Sequence, residues 1–155
     1  MADTDVDPPD LARLYRAERD RLRRLAYLMT GQVHVADEIV QDAFVQIHPR
    51  LSEVETPPAY LRATVVNLCL GWRRRTAMAR DREPRPERVW ADPPEIDETW
   101  DLLARLPADQ RAVLVLRYYE DLPVAEIAAV LGCRLSTARS RLHRALVKLR
   151  EEMTP

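Results

Sequence analysis

The chain is expected to be all-α: two small helical domains joined by an acidic, Pro-rich linker, the second domain containing a helix-turn-helix. Three observations predict this. Apolar residues recur at a period near 3.6 through most of the 155 residues, and no stretch alternates at period two for long enough to make a sheet. The chain holds only three glycines, and its twelve prolines cluster at Pro8-Pro9, Pro57-Pro58, Pro84 to Pro94 and a few helix starts. Near the end, two short helical patterns break at Leu131-Gly132, with small residues where two helix backbones must approach closely.

In chain order, Leu11, Leu14, Tyr15, Leu22, Leu25, Ala26 and Leu28 mark a first helix from about Pro9 to Met29, closed by Thr30-Gly31. A second helix, about Val33 to His48, buries Ala36, Ile39, Val40, Ala43, Phe44 and Ile47, and Pro49 ends it. Residues 50–58 read as a loop. Thr56 before Pro57-Pro58 starts a third helix that runs to about Arg80, with Tyr60, Leu61, Val65, Leu68, Cys69 and Trp72 inward. Residues 81–97 carry four prolines among many acids, which can neither continue a helix nor bury a core. This linker divides the chain into domains at 1–80 and 98–155. Helices resume at about Glu98 to Leu106, Pro107 to Glu120, Pro123 to Leu131 and Leu135 to Glu152.

Charge is more informative by segment than in total. The net charge is −1, yet residues 59–80 carry five arginines and no acid, and residues 132–150 carry six bases and no acid. Residues 81–101 carry eight acids against three arginines. Two basic helices separated by an acidic connector are what a phosphate backbone would feel, whatever the sum. Every basic residue but Lys148 is arginine, a bias that a GC-rich genome explains at least as well as phosphate recognition does.

The last helix carries the sharpest signal. Ala138, Leu142, Ala145, Leu146 and Leu149 share one face, and Thr137, Arg141, Arg144 and Lys148 share another. Ser136 is expected as the N-cap, aiming its hydroxyl and the first free amides at a phosphate. Arg134, Ser136, Thr137, Ser140, Arg141 and Arg144 then face duplex DNA, with Arg139 and Lys148 holding the backbone. In the third helix, Trp72 beside Arg73, Arg74 and Arg75 pairs an aromatic with a basic cluster. That combination suits an opened strand, though a core tryptophan beside a solvated helix end has the same pattern. The second helix presents the opposite surface: Asp37, Glu38, Gln41, Asp42 and Gln46, acidic or amide, suited to a protein partner.

Other classes find little support. His34, His48 and His143 lie far apart without ligand-spaced partners, so no metal site is expected. No Gly-rich phosphate loop, nucleophile elbow or apolar carboxylate pair is present, so neither an enzyme, a cofactor nor a small-molecule substrate is expected. The acidic N-terminus is no signal peptide, and no apolar run is long enough to insert in a membrane. Cys69 and Cys133, each among apolar residues, are expected as buried thiols of a cytoplasmic protein.

These features together resemble an extracytoplasmic-function sigma factor, a minimal alternative sigma subunit of bacterial RNA polymerase, over nearly the whole chain. Its short length and Tyr118-Tyr119-Glu120-Asp121-Leu122 look most like the compact group common in actinobacteria. Ala36-Asp37-Glu38-Ile39-Val40-Gln41-Asp42-Ala43-Phe44 resembles the family's core-polymerase-binding segment, implying contacts by Asp37, Glu38, Gln41, Asp42 and Phe44. Pro58-Ala59-Tyr60-Leu61 through Asn67-Leu68 to Trp72-Arg73-Arg74-Arg75 resembles the helix that melts and reads the −10 element. Tyr60, Arg62, Asn67, Trp72, Arg73, Arg74 and Arg75 are the residues this implies. Leu106-Pro107-Ala108-Asp109-Gln110-Arg111 through Leu122, with the helix-turn-helix after it, resembles the −35-binding domain.

The resemblance further implies core RNA polymerase and promoter DNA as partners, an anti-sigma protein as a possible third, and a flipped −10 base held partly by the Arg50–Pro58 loop. It also implies that the acidic linker threads near the path of nascent RNA. His48-Pro49 departs from the family's usual aromatic-basic pair, and Arg134-Leu135-Ser136-Thr137-Ala138 departs from its usual recognition-helix start. A stand-alone helix-turn-helix regulator and a DNA-tethered adaptor are the alternatives. The first would need a dimerisation helix, which the sequence does not supply.

Overall fold

The computed structural model describes residues 8–77 and 100–153. Among the described residues six α-helices have both ends defined: α1 (Pro8–Thr30), α2 (Val33–Ile47), α3 (Pro57–Ala77), α4 (Ala108–Tyr118), α5 (Val124–Leu131) and α6 (Leu135–Met153). No strand occurs among the described residues. The expected linker, residues 81–97, lies outside them.

The first three helices pack mutually around Leu22, Leu25 and Ala26 of α1, Ala36, Ala43 and Ile47 of α2, and Leu61, Val65 and Cys69 of α3, all fully buried. Each buried leucine or isoleucine stabilises by roughly 1.5–3 kcal/mol, and the alanines let the helices close on one another. α1 stops where Gly31 turns left-handed (φ +73°), its N–H donating to the Tyr27 carbonyl at 2.7 Å. Glycine takes that conformation without a Cβ clash. Thr30, buried just before it, donates its hydroxyl to the Ala26 carbonyl at 2.8 Å.

Several boundaries shift from expectation for local reasons. α2 ends at Ile47, and His48–Arg50 tighten into a 3-10 turn because Pro49 has no N–H to continue the α pattern. α3 begins at Pro57; its expected last residues, 78–80, lie outside the described region. Of the helix expected at Glu98 to Leu106, residues 100–103 are helical and the chain then turns into Pro107. α4 ends at Tyr118, before Glu120, because Asp121 reverses the chain with φ +55°.

In the second half, α6 lies across α4 and α5. Gly132 closes α5 in the left-handed region (φ +66°), and Cys133 N–H donates back to the Ala128 carbonyl at 3.0 Å. That turn sets α6 off at a new angle and completes the helix-turn-helix. Cys133 is half-buried, since its place in the turn leaves one side open, whereas Cys69 is fully buried as expected.

The two halves also touch. α1 and α3 pack against α4, and α3 against α5. One apolar cluster accordingly runs from Leu22 in α1 to Ala145 in α6.

Candidate nucleic-acid interface

α6 presents the expected two faces. Ala138 and Ala145 are fully buried, with Leu142, Leu146 and Leu149 packed against the core. Ser136, Arg139, Ser140 and Arg144 are exposed, while Thr137, Arg141 and Lys148 are half-buried. Ser136 is not the cap. The helix begins at Leu135, and the carbonyl of Arg134 accepts the Ala138 N–H at 3.0 Å, so Arg134 stands at the cap and Ser136 lies inside the first turn. Ser136 is still exposed at the free-amide end of the helix, where an anion is favoured. Arg141 Nε lies 3.4 Å from Asp109 Oδ2 of α4, which steadies one arginine of the face from behind.

On α3, Asn67, Arg74 and Arg75 are exposed, and Tyr60, Arg62, Trp72 and Arg73 are half-buried. Trp72 packs on the core with one part of its ring, while the Arg73 guanidinium stands 6.0 Å from the ring centre. A cation over an indole in that range is attracted by the ring's quadrupole. Trp72 is therefore neither wholly core nor wholly solvated. Arg62 turns toward the second half, its Nη1 3.9 Å from Glu120 Oε2.

The acidic surface of α2 is present as well: Glu38, Gln41, Asp42 and Gln46 are exposed. Asp37 accepts from Arg23 Nε of α1 at 2.6 Å, which ties the surface to α1. Phe44 does not belong to that surface. It is 6% exposed, edge-on to the Tyr15 ring at 5.0 Å, because its place in the α2 stripe points it at α1. The apolar groups that do reach solvent here are Tyr15 and Val45, 41% and 66% exposed, beside a groove of about 550 Å³ between α1 and α2.

Two residues that the sequence did not single out organise the join between the halves. Arg111 is buried and donates to three carbonyls: Nε to Leu103 at 2.9 Å, Nη2 to Leu106 at 3.0 Å and Nη1 to Met29 at 3.1 Å. Its guanidinium also stacks over Trp100, 4.9 Å from the ring centre. Glu120 has a side chain 1% exposed, with Arg21 Nη1 at 3.1 Å from its Oε2. Burial raises the Glu120 pKa above the usual carboxylate range, Arg21 and Arg62 pull it back, and Glu18 adds to the rise. The signal for Arg111 was its helical phase, one turn before Leu114 and Val115 on the inward stripe.

Among the described residues no group of three His, Cys, Asp or Glu could hold a metal ion, and no helix is long and apolar enough to cross a membrane.

Comparison with known proteins agrees with this arrangement. Residues 14–78 match the family model for sigma-70 region 2, and residues 96–149 match sigma-70, region 4. The RNA polymerase sigma-E factor of Streptomyces coelicolor is 33% identical, over 89% of this chain and 82% of that protein. The ECF RNA polymerase sigma factor SigE of Mycolicibacterium smegmatis is 32% identical over 92% of this chain, which spans only 61% of that relative's length. Among solved structures, the sigma factor RpoE bound to the anti-sigma factor NepR from Bartonella quintana superposes with a TM-score of 0.72 at 21% identity, covering 92% of this chain and 95% of that one. CnrH bound to the cytosolic domain of CnrY gives 0.70 at 23% identity, covering 96% and 90%. At such identities these two speak for the fold alone. The region 2 and region 4 matches, on the halves that hold the α3 and α6 basic faces, and the sigma-E relative place this chain in the sigma-70 family, among the ECF RNA polymerase sigma factors.

Proposed function

We propose that this chain is an alternative sigma factor that binds core RNA polymerase and directs it to a restricted set of promoters, and that it is no enzyme. Residues 1–80 dock the polymerase and melt the −10 element, and residues 98–155 read the −35 element. The observation that carries this is the pairing on one chain of two basic helix faces, those of α3 and α6. One is a helix-turn-helix helix suited to duplex DNA; the other is an Arg73–Arg75 cluster beside a part-exposed Trp72, suited to an opened strand.

The roles assigned from the helix pattern are compatible with the exposure of each group. Thr137, Ser140, Arg141 and Arg144 meet base edges, with Arg134, Ser136, Arg139 and Lys148 on the phosphates. Glu38, Gln41, Asp42 and Asp37 meet the polymerase, helped by Tyr15 and Val45, while Phe44 supports them from the core. The protein works in the cytoplasm, and the partner complexes of RpoE and CnrH make an anti-sigma protein a fitting regulator.

Replacing Arg73, Arg74 and Arg75 together by alanine tests the division of labour. Permanganate reactivity of −10 thymines should vanish while core binding persists. Undiminished opening would contradict the −10 role and favour the DNA-tethered adaptor.

A further inference from the structure

The basic stretch of α6 has no acid of its own between residues 132 and 150, yet one of its arginines is held by a carboxylate. The acid comes from α4. Asp109 stands in the first turn of that helix and brings its Oδ2 to 3.4 Å from Arg141 Nε. Its other oxygen is engaged too, Oδ1 accepting the Gln110 N–H at 2.9 Å. The carboxylate is therefore pinned to backbone through one oxygen and meets the recognition helix with the other. Both residues belong to the second half, where α6 lies across α4.

An acid in this place is unfavourable for binding DNA as such. The Asp109 side chain is 51% exposed beside a face that meets phosphates in the proposed function, and its charge offsets that of Arg141. It adds little to folding, because ion pairs at such exposure are weak. The helix dipole of α4 would be served equally by a first-turn carboxylate turned to solvent.

What the pair supplies is geometry. Arg134, Arg139 and Arg144 are exposed, whereas Arg141 is half-buried in a cleft that it lines with Asp109, Ala112 and Leu131. A guanidinium fixed at Nε keeps Nη1 and Nη2 as a planar fork, the donor pair that matches guanine O6 and N7. Holding the fork in advance also spares rotamer freedom that would otherwise be lost on binding.

We propose that Asp109 is a positioning residue for promoter reading. It orients Arg141 toward one guanine of the −35 element, and the chain gives up general DNA affinity for discrimination at that base pair. The proposal rests on the sigma-factor reading above, with Arg141 at a base edge.

Asp109→Asn tests this, since it keeps the shape and the acceptor for the Gln110 N–H and removes the charge that holds Arg141. Holoenzyme is reconstituted from core polymerase and each chain variant. Its equilibrium binding is measured on a promoter fragment from which the wild type initiates, and on every single base-pair substitution across the −35 element. With the wild type, one guanine position should discriminate about tenfold or more, as a good bidentate contact does. Asp109→Asn should reduce that to about threefold or less and leave the other positions unchanged. Non-cognate duplex should bind the variant roughly two- to fivefold tighter, with a steeper salt dependence. Asp109→Ala, which removes the whole group, should give the same base profile. In an Arg141→Ala chain, where discrimination at this position is already lost, Asp109→Asn should change no base preference.

Unaltered base preferences in Asp109→Asn, a weakening of all fragments alike, or a changed preference that persists in the Arg141→Ala chain would overturn the proposal. If the wild-type chain creates no start site with core polymerase on any promoter of its genome, the sigma reading itself fails and the proposal falls with it.

Discussion

Arg111 Nη1 donates to the Met29 carbonyl at 3.1 Å, joining the α4 helix of the second half to the end of α1 in the first. The same guanidinium satisfies the Leu103 and Leu106 carbonyls, so a single side chain both shapes the approach to α4 and anchors the two halves. Arginine suits the place because its planar fork keeps its charge and presents several donors in fixed directions.

Arg111→Ala should therefore destabilise the chain by at least about 3 kcal/mol in urea unfolding, since three buried carbonyls lose a charged donor. Arg111→Lys should recover only part of this loss. An ammonium is a point donor and cannot meet three acceptors spread around a plane.

The two left-handed glycines should differ in tolerance. A Cβ on Gly132 meets nothing, so Gly132→Ala should cost about 1 kcal/mol for its backbone conformation alone. A Cβ on Gly31 would overlap the Trp100 ring, so Gly31→Ala adds a displaced tryptophan and should cost at least about 2 kcal/mol. Thermal unfolding of the two variants side by side gives the ranking.

Burial pushes the Cys69 thiol pKa far up and seals it from reagent. Iodoacetamide should modify Cys133 in the native chain and reach Cys69 only in denaturant. Mass spectrometry of the two peptides would show it.

Glu120 should give stability a pH dependence of definite sign. Its folded-state pKa is raised by burial, against the pull of Arg21 and Arg62 and with Glu18 adding to the rise. The folded chain thus binds this proton more tightly than the unfolded one. The stabilisation is full below the unfolded value, about 4.3, and is lost as pH rises through the higher folded value. Glu120→Gln should remove this slope, read as melting temperature against pH for variant minus wild type.

On α6, Arg144→Ala should weaken binding to the −35 duplex by about 1–3 kcal/mol and relax its base preference, as for a base contact. Lys148→Ala should instead weaken all sequences alike and lower the salt slope by about 1. Fluorescence anisotropy at several salt concentrations separates the two behaviours.

Much of the fold was legible because its signals are local. The α2 stripe from Ala36 to Ile47, the Gly31 and Gly132 stops and the apolar face of α6 depend on periodicity and backbone preference, which act within a few residues. The cap lies two positions before Ser136, at Arg134, since a serine after an arginine and a leucine does not by itself fix which carbonyl takes the first helical bond. Phe44 fitted both the buried stripe and the surface motif, and its packing on Tyr15 decided for the core. The join was illegible because it is non-local. Arg111 to Met29 spans 82 residues and Arg21 to Glu120 spans 99, and charged residues at those positions read as solvated until their partners are seen.

Run-off transcription with bacterial core RNA polymerase, with and without the chain, on promoter fragments from its own genome tests the central claim most directly. New, defined start sites that depend on the chain, and that disappear when Arg73, Arg74 and Arg75 are all alanine, are the predicted result. Sequence-specific DNA binding by a chain that neither binds core polymerase nor creates any start site would contradict it.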